Sequence, residues 1–223
     1  MNKDYNKVDA SEAANYYKKY AEKGFTEAMR SYGVMLQKGH GVEINYKEAA
    51  RYFKMAADKG DVLTMNWYAI MLRDGQGIEE NKIEAARYFK MAADKGSLKS
   101  AHGYAAMLKK GEGIEEDKIE ASRYFKMAAD KGHIISMNIY AEMQYNGEGI
   151  PMNKAEAARY YKMAADKGNS KAMNNYATLV RKGQGIEENK IEAARYFKMA
   201  ADKGNSDAMN NYAAMLKNGE GIE

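Results

Sequence analysis

Small and apolar residues recur along the chain with the spacing of an α-helix. One arc of residues 169–182 carries six of them: Ala172, Met173, Tyr176, Ala177, Leu179 and Val180. A second arc, in residues 191–204, carries Ala193, Tyr196, Phe197, Ala200 and Ala201, with Glu192, Arg195, Lys198 and Asp202 on the opposite side. At about 100° per residue, each arc forms one face of an amphipathic helix. The pattern predicts two helices, helix A and then helix B, separated by a loop.

The two-helix pattern returns every 36 residues. A glycine ends each unit, at Gly24, Gly60, Gly96, Gly132, Gly168 and Gly204. Loop glycines keep the same step, as the pairs Gly39/Gly41, Gly75/Gly77, Gly111/Gly113, Gly147/Gly149, Gly183/Gly185 and Gly219/Gly221. The full units are 25–60, 61–96, 97–132, 133–168 and 169–204, flanked by half-units at 1–24 (helix B) and 205–223 (helix A). Such a period is typical of solenoid proteins.

Stacking of these repeats determines the predicted fold. Helices this short cannot bury their apolar faces alone, whereas neighbouring repeats bury them jointly. We therefore predict an all-α protein, a right-handed α/α superhelical solenoid of 36-residue helix-turn-helix repeats, with residues 1–223 forming a single domain.

The loop between the helices contains a Gly-x-Gly pair beside acidic residues, as in GQGIEENK at 75–82. A dinucleotide-binding loop needs a third glycine and a preceding strand, but here the third position is Glu80 and a helix precedes. We therefore expect a structural turn, in which the glycines end helix A and Ile78 anchors the loop in the core. Asn81 is expected to cap helix B, and Glu84 to complete a capping box.

The glycine pair, with the A-A-x-x-G ending of helix B, resembles the Sel1-like repeat, a relative of the tetratricopeptide repeat. The matching residues of the fifth unit are Ala172, Gly183, Gly185, Ile186, Ala193, Tyr196, Phe197, Ala200, Ala201 and Gly204. The chain departs from the family pattern at the mid-helix A glycine, which is Gly33 in the first unit and alanine elsewhere, at Ala69, Ala105, Ala141, Ala177 and Ala213. The resemblance implies a non-enzymatic adaptor or scaffold that holds protein partners. It implies no cofactor and no bound metal.

In such solenoids the A helices line the concave side, so their exposed arc is the candidate binding groove. Positions are counted from the residue after each unit-ending glycine. The sixth position is mostly asparagine: Arg30, Asn66, His102, Asn138, Asn174 and Asn210. Asparagine both donates and accepts hydrogen bonds, which suits an extended peptide backbone. The alternative is that these amides bond to neighbouring repeats or to water.

The thirteenth position of helix A is mostly basic. It reads Gln37, Arg73, Lys109, Tyr145, Arg181 and Lys217. This stripe could hold carboxylates of an acidic peptide. Basic residues in the last turn also complement the helix dipole without any ligand, and this interpretation is favoured.

Apolar residues stand on the exposed arc of the second full-length repeat, residues 61–96, at Leu63, Trp67 and Ile70. Ile135 and Ile139 repeat the feature two units later. Exposed aromatic anchors mark partner sites, so these residues are the favoured binding patch. The alternative is that Trp67 packs on the next A helix.

Composition and charge narrow the function classes. The 35 basic and 31 acidic residues are spread along the chain, which argues against a nucleic-acid partner. There is no cysteine, and the three histidines, His40, His102 and His133, stand at different positions of the repeat, so no catalytic or metal-binding constellation is expected. No apolar run suits a signal peptide or membrane insertion, which favours a cytoplasmic location.

The sequence thus predicts a non-enzymatic adaptor that binds a protein or peptide partner through the groove of the A helices. A second hypothesis starts from the two half-units, which are complementary. They would allow head-to-tail self-association, or the chain could be a fragment of a longer array.

Overall fold

The structure, a computed structural model, describes residues 9–221. Residues 1–8 and 222–223, which belong to the two predicted half-units, lie outside the described residues. Contacts divide the chain into two compact units, Met1–Glu116 and Asp117–Glu223. The single domain over residues 1–223 stays a prediction.

Both units are built from short helices, and residues 9–221 contain no strand. The first unit holds α1 (Ala10–Glu22), α2 (Thr26–Lys38), α3 (Tyr46–Asp58), α4 (Val62–Asp74), α5 (Lys82–Asp94) and α6 (Leu98–Lys110). The second holds α7 (Lys118–Asp130), α8 (Ile134–Asn146), α9 (Lys154–Asp166), α10 (Ser170–Lys182), α11 (Lys190–Asp202) and α12 (Ser206–Asn218). Even-numbered helices are A helices and odd-numbered ones are B helices. The predicted all-α class and the 36-residue two-helix repeat are confirmed.

Buried residues follow the predicted arcs. All six small or apolar residues of the α10 arc are buried. On α11 four of the five are buried, and Ala201 is half-buried. Within a repeat, a tyrosine of helix A meets one of helix B edge-on, as Tyr68 meets Tyr88 at 5.0 Å between ring centroids. Such pairs stabilise the contact beyond the area that they bury.

The loop has the predicted turn but not the predicted capping box. Gly75 ends α4 in the left-handed conformation, with φ at 66°. Asn81 caps α5, since its Oδ1 accepts from the Glu84 amide at 2.9 Å. The reciprocal bond is absent: the Asn81 amide donates to Leu72 O at 2.8 Å, and the Glu84 carboxylate binds Arg87. The prediction was wrong because the returning chain already satisfies that amide.

The second loop glycine sets how closely consecutive repeats approach. Gly77 has φ at 75°, and a Cβ there would lie 2.4 Å from the carbonyl carbon of Tyr46, in the first turn of α3. In the same way, Gly113 approaches Lys82, and Gly185 approaches Lys154. The Gly-x-Gly pair is therefore a turn followed by a backbone contact with the preceding helix B. Half-buried Ile78 packs against the core, as expected.

Neighbouring B helices are joined by hydrogen-bonded tyrosine–aspartate–lysine clusters. Tyr88 of α5 donates to Asp58 of α3 at 2.5 Å, and Lys54 binds the same carboxylate at 2.7 Å. Burial and the Asp58 hydrogen bond raise the pKa of Tyr88. Burial opposes ionisation of Asp58, but the hydrogen bonds from Lys54 and Tyr88 bring its pKa below the usual value. Tyr196 and Asp166 form the same bond at 2.8 Å in the second unit.

Candidate partner-binding face

The residues of the A helices that point away from the B helices form what we call the A-helix face. Between two successive A helices of the same unit this face has a slot, whose floor is an aromatic residue of the intervening B helix. The floor residue is Phe53 for the α2–α4 slot, Phe89 for the α4–α6 slot and Tyr161 for the α8–α10 slot. The three slots differ in what fills them.

Trp67 fills the α2–α4 slot. Its ring lies 5.3 Å from that of Phe53, and it packs, half-buried, against the core. A Cβ on Gly33 would lie 2.5 Å from Phe53 Cε1, so the absence of a side chain at this position of α2 leaves space for the Phe53 ring. The sequence favoured an exposed anchor, and its alternative placed Trp67 on an A helix. The ring contact observed is with Phe53 of helix B, because position seven borders the slot, and packing of Trp67 on the next A helix stays a prediction.

The other two apolar residues of the second repeat differ in exposure. Leu63 is 53% exposed. Ile70 is half-buried and packs against the core. Of the three apolar residues in this repeat, Leu63 is thus the one that a partner can contact without rearrangement. In the second unit Ile135 is 54% exposed and Ile139 is half-buried.

An arginine covers the α4–α6 slot. The Arg73 guanidinium lies 5.9 Å from the centroid of the Phe89 ring, within reach of a cation–π contact. Gly103 faces the same ring, and a Cβ there would lie 3.0 Å from Phe89 Cε1. Arg73 also binds Asp74 at 2.7 and 3.0 Å.

The predicted asparagine ladder is mostly a set of contacts between repeats. Asn66 is buried, and its Oδ1 accepts from Ser100 of the next repeat at 2.9 Å. Half-buried Asn174 accepts from Asn211 at 2.9 Å. Exposure of Asn66 and Asn138 was predicted wrongly, because the sixth position points at the next A helix. Asn210 is exposed, and His102 is half-buried.

Asn138 differs from Asn66 in what stands opposite. Both are buried, but Asn138 Oδ1 has no hydrogen-bond partner. The residue 34 places after Asn66 is Ser100, whereas the residue 34 places after Asn138 is Ala172, which has no hydroxyl. The repeat therefore leaves a buried acceptor unpaired in the second unit.

The predicted basic stripe is largely paired within the protein. Arg181 binds Glu220, 39 residues later, at 3.0 and 3.1 Å. Tyr145 likewise has its partner 39 residues later, since its hydroxyl donates to Gln184 Oε1 at 3.0 Å. Asp74 raises the pKa of Arg73 by accepting its hydrogen bond, and Glu112, again 39 residues on, adds to this. The thirteenth position thus ties helix A to the loop of the next repeat. Lys109 in this position is half-buried.

The α8–α10 slot contains a pocket. It is lined by Tyr145, Tyr161, Asn175, Thr178 and Leu179, with a volume of about 120 Å³. Three of these five residues were not singled out from the sequence. A usable signal was present, since Tyr161 stands where four other B helices have phenylalanine, and Tyr145 stands where the stripe is mostly basic.

The family comparison agrees with this geometry along nearly the whole chain. The Sel1 repeat matches residues 6–25, 26–61, 62–97, 98–133, 134–169, 170–205 and 206–223. The chain belongs to the Sel1 repeat family. Sel1 repeat proteins are in general scaffolds for protein–protein interaction and typically have no enzymatic activity.

Solved structures of Sel1 repeat proteins have the same fold. The protective antigen c5321 of uropathogenic Escherichia coli is 26% identical, with a TM-score of 0.92 over 95% of this chain and 45% of c5321. A Sel1 repeat protein of Oxalobacter formigenes is 23% identical, with a TM-score of 0.78 over 92% of this chain and 89% of its own. This chain spans less than half of c5321. A comparison with curated proteins finds no match.

Among residues 9–221, no three or more histidine, aspartate or glutamate side chains are grouped so as to hold a metal ion. None of the helices described has the length and apolarity needed to cross a bilayer. The cytoplasmic location and the lack of a nucleic-acid partner stay predictions.

Proposed function

We propose that this Sel1 repeat protein is a non-enzymatic adaptor that binds a protein or peptide partner on its A-helix face. The observation that supports this is the distribution of differences between repeats. Helices α5 and α11 have the identical sequence KIEAARYFKMAAD. The corresponding A helices, α4 and α10, read VLTMNWYAIMLRD and SKAMNNYATLVRK. Buried positions differ only by small or apolar exchanges, whereas Leu63, Trp67 and Ile70 of α4 are replaced by polar or charged residues in α10, on the arc where a partner would be recognised.

Leu63 is the starting point for such a partner. It is exposed beside half-buried Trp67 and Ile70, so an apolar side chain laid on Leu63 would also contact these two neighbours. Apolar anchors surrounded by polar residues carry most of the binding energy in protein interfaces. Ile135 gives the second unit an exposed apolar residue at the same repeat position.

The proposal is tested with peptides selected from a random displayed library on the full chain. Leu63→Ser removes the exposed apolar group of the A-helix face, and we expect about tenfold weaker binding of the selected peptides. Ile83→Ser is the matched control, because Ile83 is 71% exposed on helix α5. Equal losses for the two variants, or no loss for Leu63→Ser, would contradict the proposal.

Self-association is a second candidate, supported by the exposed face of α12. Met209 is 47% exposed and Leu216 is 48% exposed, whereas the equivalent residues Met173 and Val180 are at most 2% exposed. A helix B of a second copy would cover these side chains as α11 covers α10. Light scattering over a range of concentrations tests this, with Leu216→Glu expected to lower the mass of any oligomer. A constant monomer mass for the unmodified chain would exclude it.

A further inference from the structure

The α8–α10 slot differs from the other two slots because it contains a pocket that no side chain fills. The α2–α4 slot is filled by Trp67, and Arg73 covers the α4–α6 slot. In the α8–α10 slot a space of about 120 Å³ remains, lined by two tyrosines, an asparagine, a threonine and a leucine. None of these lining residues carries a charge at neutral pH. An ionic ligand would lose its hydration there without gaining a counter-charge, so the lining favours a neutral polar group.

Two of the lining hydroxyl groups already donate hydrogen bonds within the protein. Tyr145 donates its proton to Gln184 Oε1 at 3.0 Å. Thr178 Oγ1 donates to the carbonyl oxygen of Asn174 at 2.9 Å. Each hydroxyl has one proton and two lone pairs, so both oxygens present only acceptors to a ligand. A ligand between α8 and α10 must therefore supply N–H or O–H groups.

Tyr161 offers the opposite role at the floor of the pocket. It is 4% exposed, and burial raises the pKa of its hydroxyl, as does the charge of Glu142, while a hydrogen bond from Asn175 lowers that pKa. Burial is the largest influence, so the pKa is raised and the hydroxyl keeps its proton at neutral pH. A protonated tyrosine hydroxyl has one O–H to donate, so Tyr161 can serve an acceptor on a ligand. The floor therefore favours a ligand that also carries a carbonyl.

We propose that this pocket binds a primary carboxamide, as presented by a glutamine or asparagine side chain of a bound peptide. Its NH₂ group donates to Tyr145 Oη and Thr178 Oγ1, and its carbonyl accepts from Tyr161. The methylene groups pack on Leu179 and the two tyrosine rings. The assignment rests on the proposed function, since it names the side chain that a peptide on the A-helix face would insert.

The other slots provide the matched variants. Tyr145→Arg gives the slot the residue that covers Phe89 in the α4–α6 slot, and Tyr161→Phe restores the floor residue of the neighbouring repeats. Both changes introduce what the same scaffold already carries elsewhere, so the fold should be kept. Thermal unfolding by circular dichroism confirms this before binding is measured.

The test uses small blocked amino acids as probes of the full chain. Nα-acetyl-glutamine methylamide and its asparagine analogue are titrated while the methyl resonances of Thr178 and Leu179 are followed by NMR. The norleucine, lysine and glutamate analogues are the comparison set. We expect saturable shifts with the two carboxamides, about tenfold weaker binding of the others, and about tenfold weaker carboxamide binding for folded Tyr161→Phe and Tyr145→Arg.

Several results would overturn the assignment. Norleucine binding as well as glutamine would show an apolar pocket, and stronger lysine binding would show a cation site. Unchanged carboxamide binding by folded Tyr161→Phe would show that the Tyr161 hydroxyl does not contact the carboxamide. If no carboxamide binds while library peptides remain sensitive to Leu63→Ser, the pocket assignment alone fails. If the carboxamides bind but Leu63→Ser does not weaken binding of the library peptides, the proposed function, partner binding on the A-helix face, fails instead.

Discussion

Ser100 Oγ donates a hydrogen bond of 2.9 Å to the buried Oδ1 of Asn66, joining two consecutive A helices through their side chains. Oγ also accepts from Ser97, the N-cap of α6, at 2.9 Å. One hydroxyl thus links a helix cap to the neighbouring repeat. At Ala172, where alanine takes the place of this serine, the buried Oδ1 of Asn138 opposite stays unpaired.

Ala172→Ser should stabilise the protein by about 1 kcal/mol, because it gives Asn138 the donor that Ser100 gives Asn66. Ala208→Ser is the control, since it carries the same helix-propensity cost while its partner Asn174 already accepts from Asn211. Urea unfolding followed by circular dichroism measures both. Equal effects of the two substitutions would show that the unpaired oxygen of Asn138 costs nothing.

Gly77→Ala should destabilise the protein by about 3 kcal/mol or more, since it adds a backbone clash to an unfavourable φ. The control Gly75→Ala lies in the same loop at φ 66°, with its nearest neighbour, the Cβ of Glu80, at 3.6 Å. It should cost about 1 kcal/mol, the conformational part alone. Similar losses of unfolding free energy for the two variants would contradict the role of Gly77 as a contact between repeats.

Trp67→Ala should cost about 2 kcal/mol, because the indole packs on Phe53 and on the core. Gly33→Ala should cost a similar amount, about 2 kcal/mol, through its clash with Phe53. The double variant should be more stable than the sum of these losses predicts, since Phe53 gains space to move when the indole is removed. A double-mutant cycle from chemical unfolding measures this coupling, and strict additivity would show that Trp67 does not set the position of Phe53.

Asp58→Asn should make the protein less sensitive to acid. The pKa of Asp58 lies below its ordinary value of 3.8, so its charged form stabilises the fold above that value. This contribution is lost as the pH falls through the lower, folded-state pKa. Unfolding midpoints at pH 7 and pH 3 should therefore differ less in Asp58→Asn than in the unmodified chain.

The control for this acid dependence is Asp202→Asn. Asp202 occupies the equivalent position on α11 and is exposed, so this variant also removes one negative charge. If both variants show the same pH dependence, general charge repulsion rather than the Lys54–Asp58–Tyr88 cluster explains the acid sensitivity.

The helices and their buried arcs followed from the sequence because they depend on spacing within one helix. The six arc residues of α10 are an example, as is the cap at Asn81. Contacts between repeats did not follow, because a helical wheel contains no information about the neighbour. Asn66 therefore passed for an exposed groove residue, although it points at Ser100.

Part of the missing information was present as longer spacings. A step of 34 residues joins Asn66 to Ser100, and a step of 39 joins Arg181 to Glu220. Comparing residues at such offsets would have separated paired positions from available ones. The pocket residue Tyr161 needed another signal, namely a hydroxyl at a position that is phenylalanine in four of the other B helices.

The contact made by Gly77 and its equivalents involves main-chain atoms on the partner side, which every amino acid possesses. A junction specified in this way does not depend on the particular side chains of the two units that meet. Units could be duplicated, deleted or exchanged in whole steps of 36 residues without a matching change in the neighbour. Exchange of such modules would account for near-identical B helices beside diverse A helices. The B helices all make the same contact with the next repeat, whereas the A helices are free to differ in sequence.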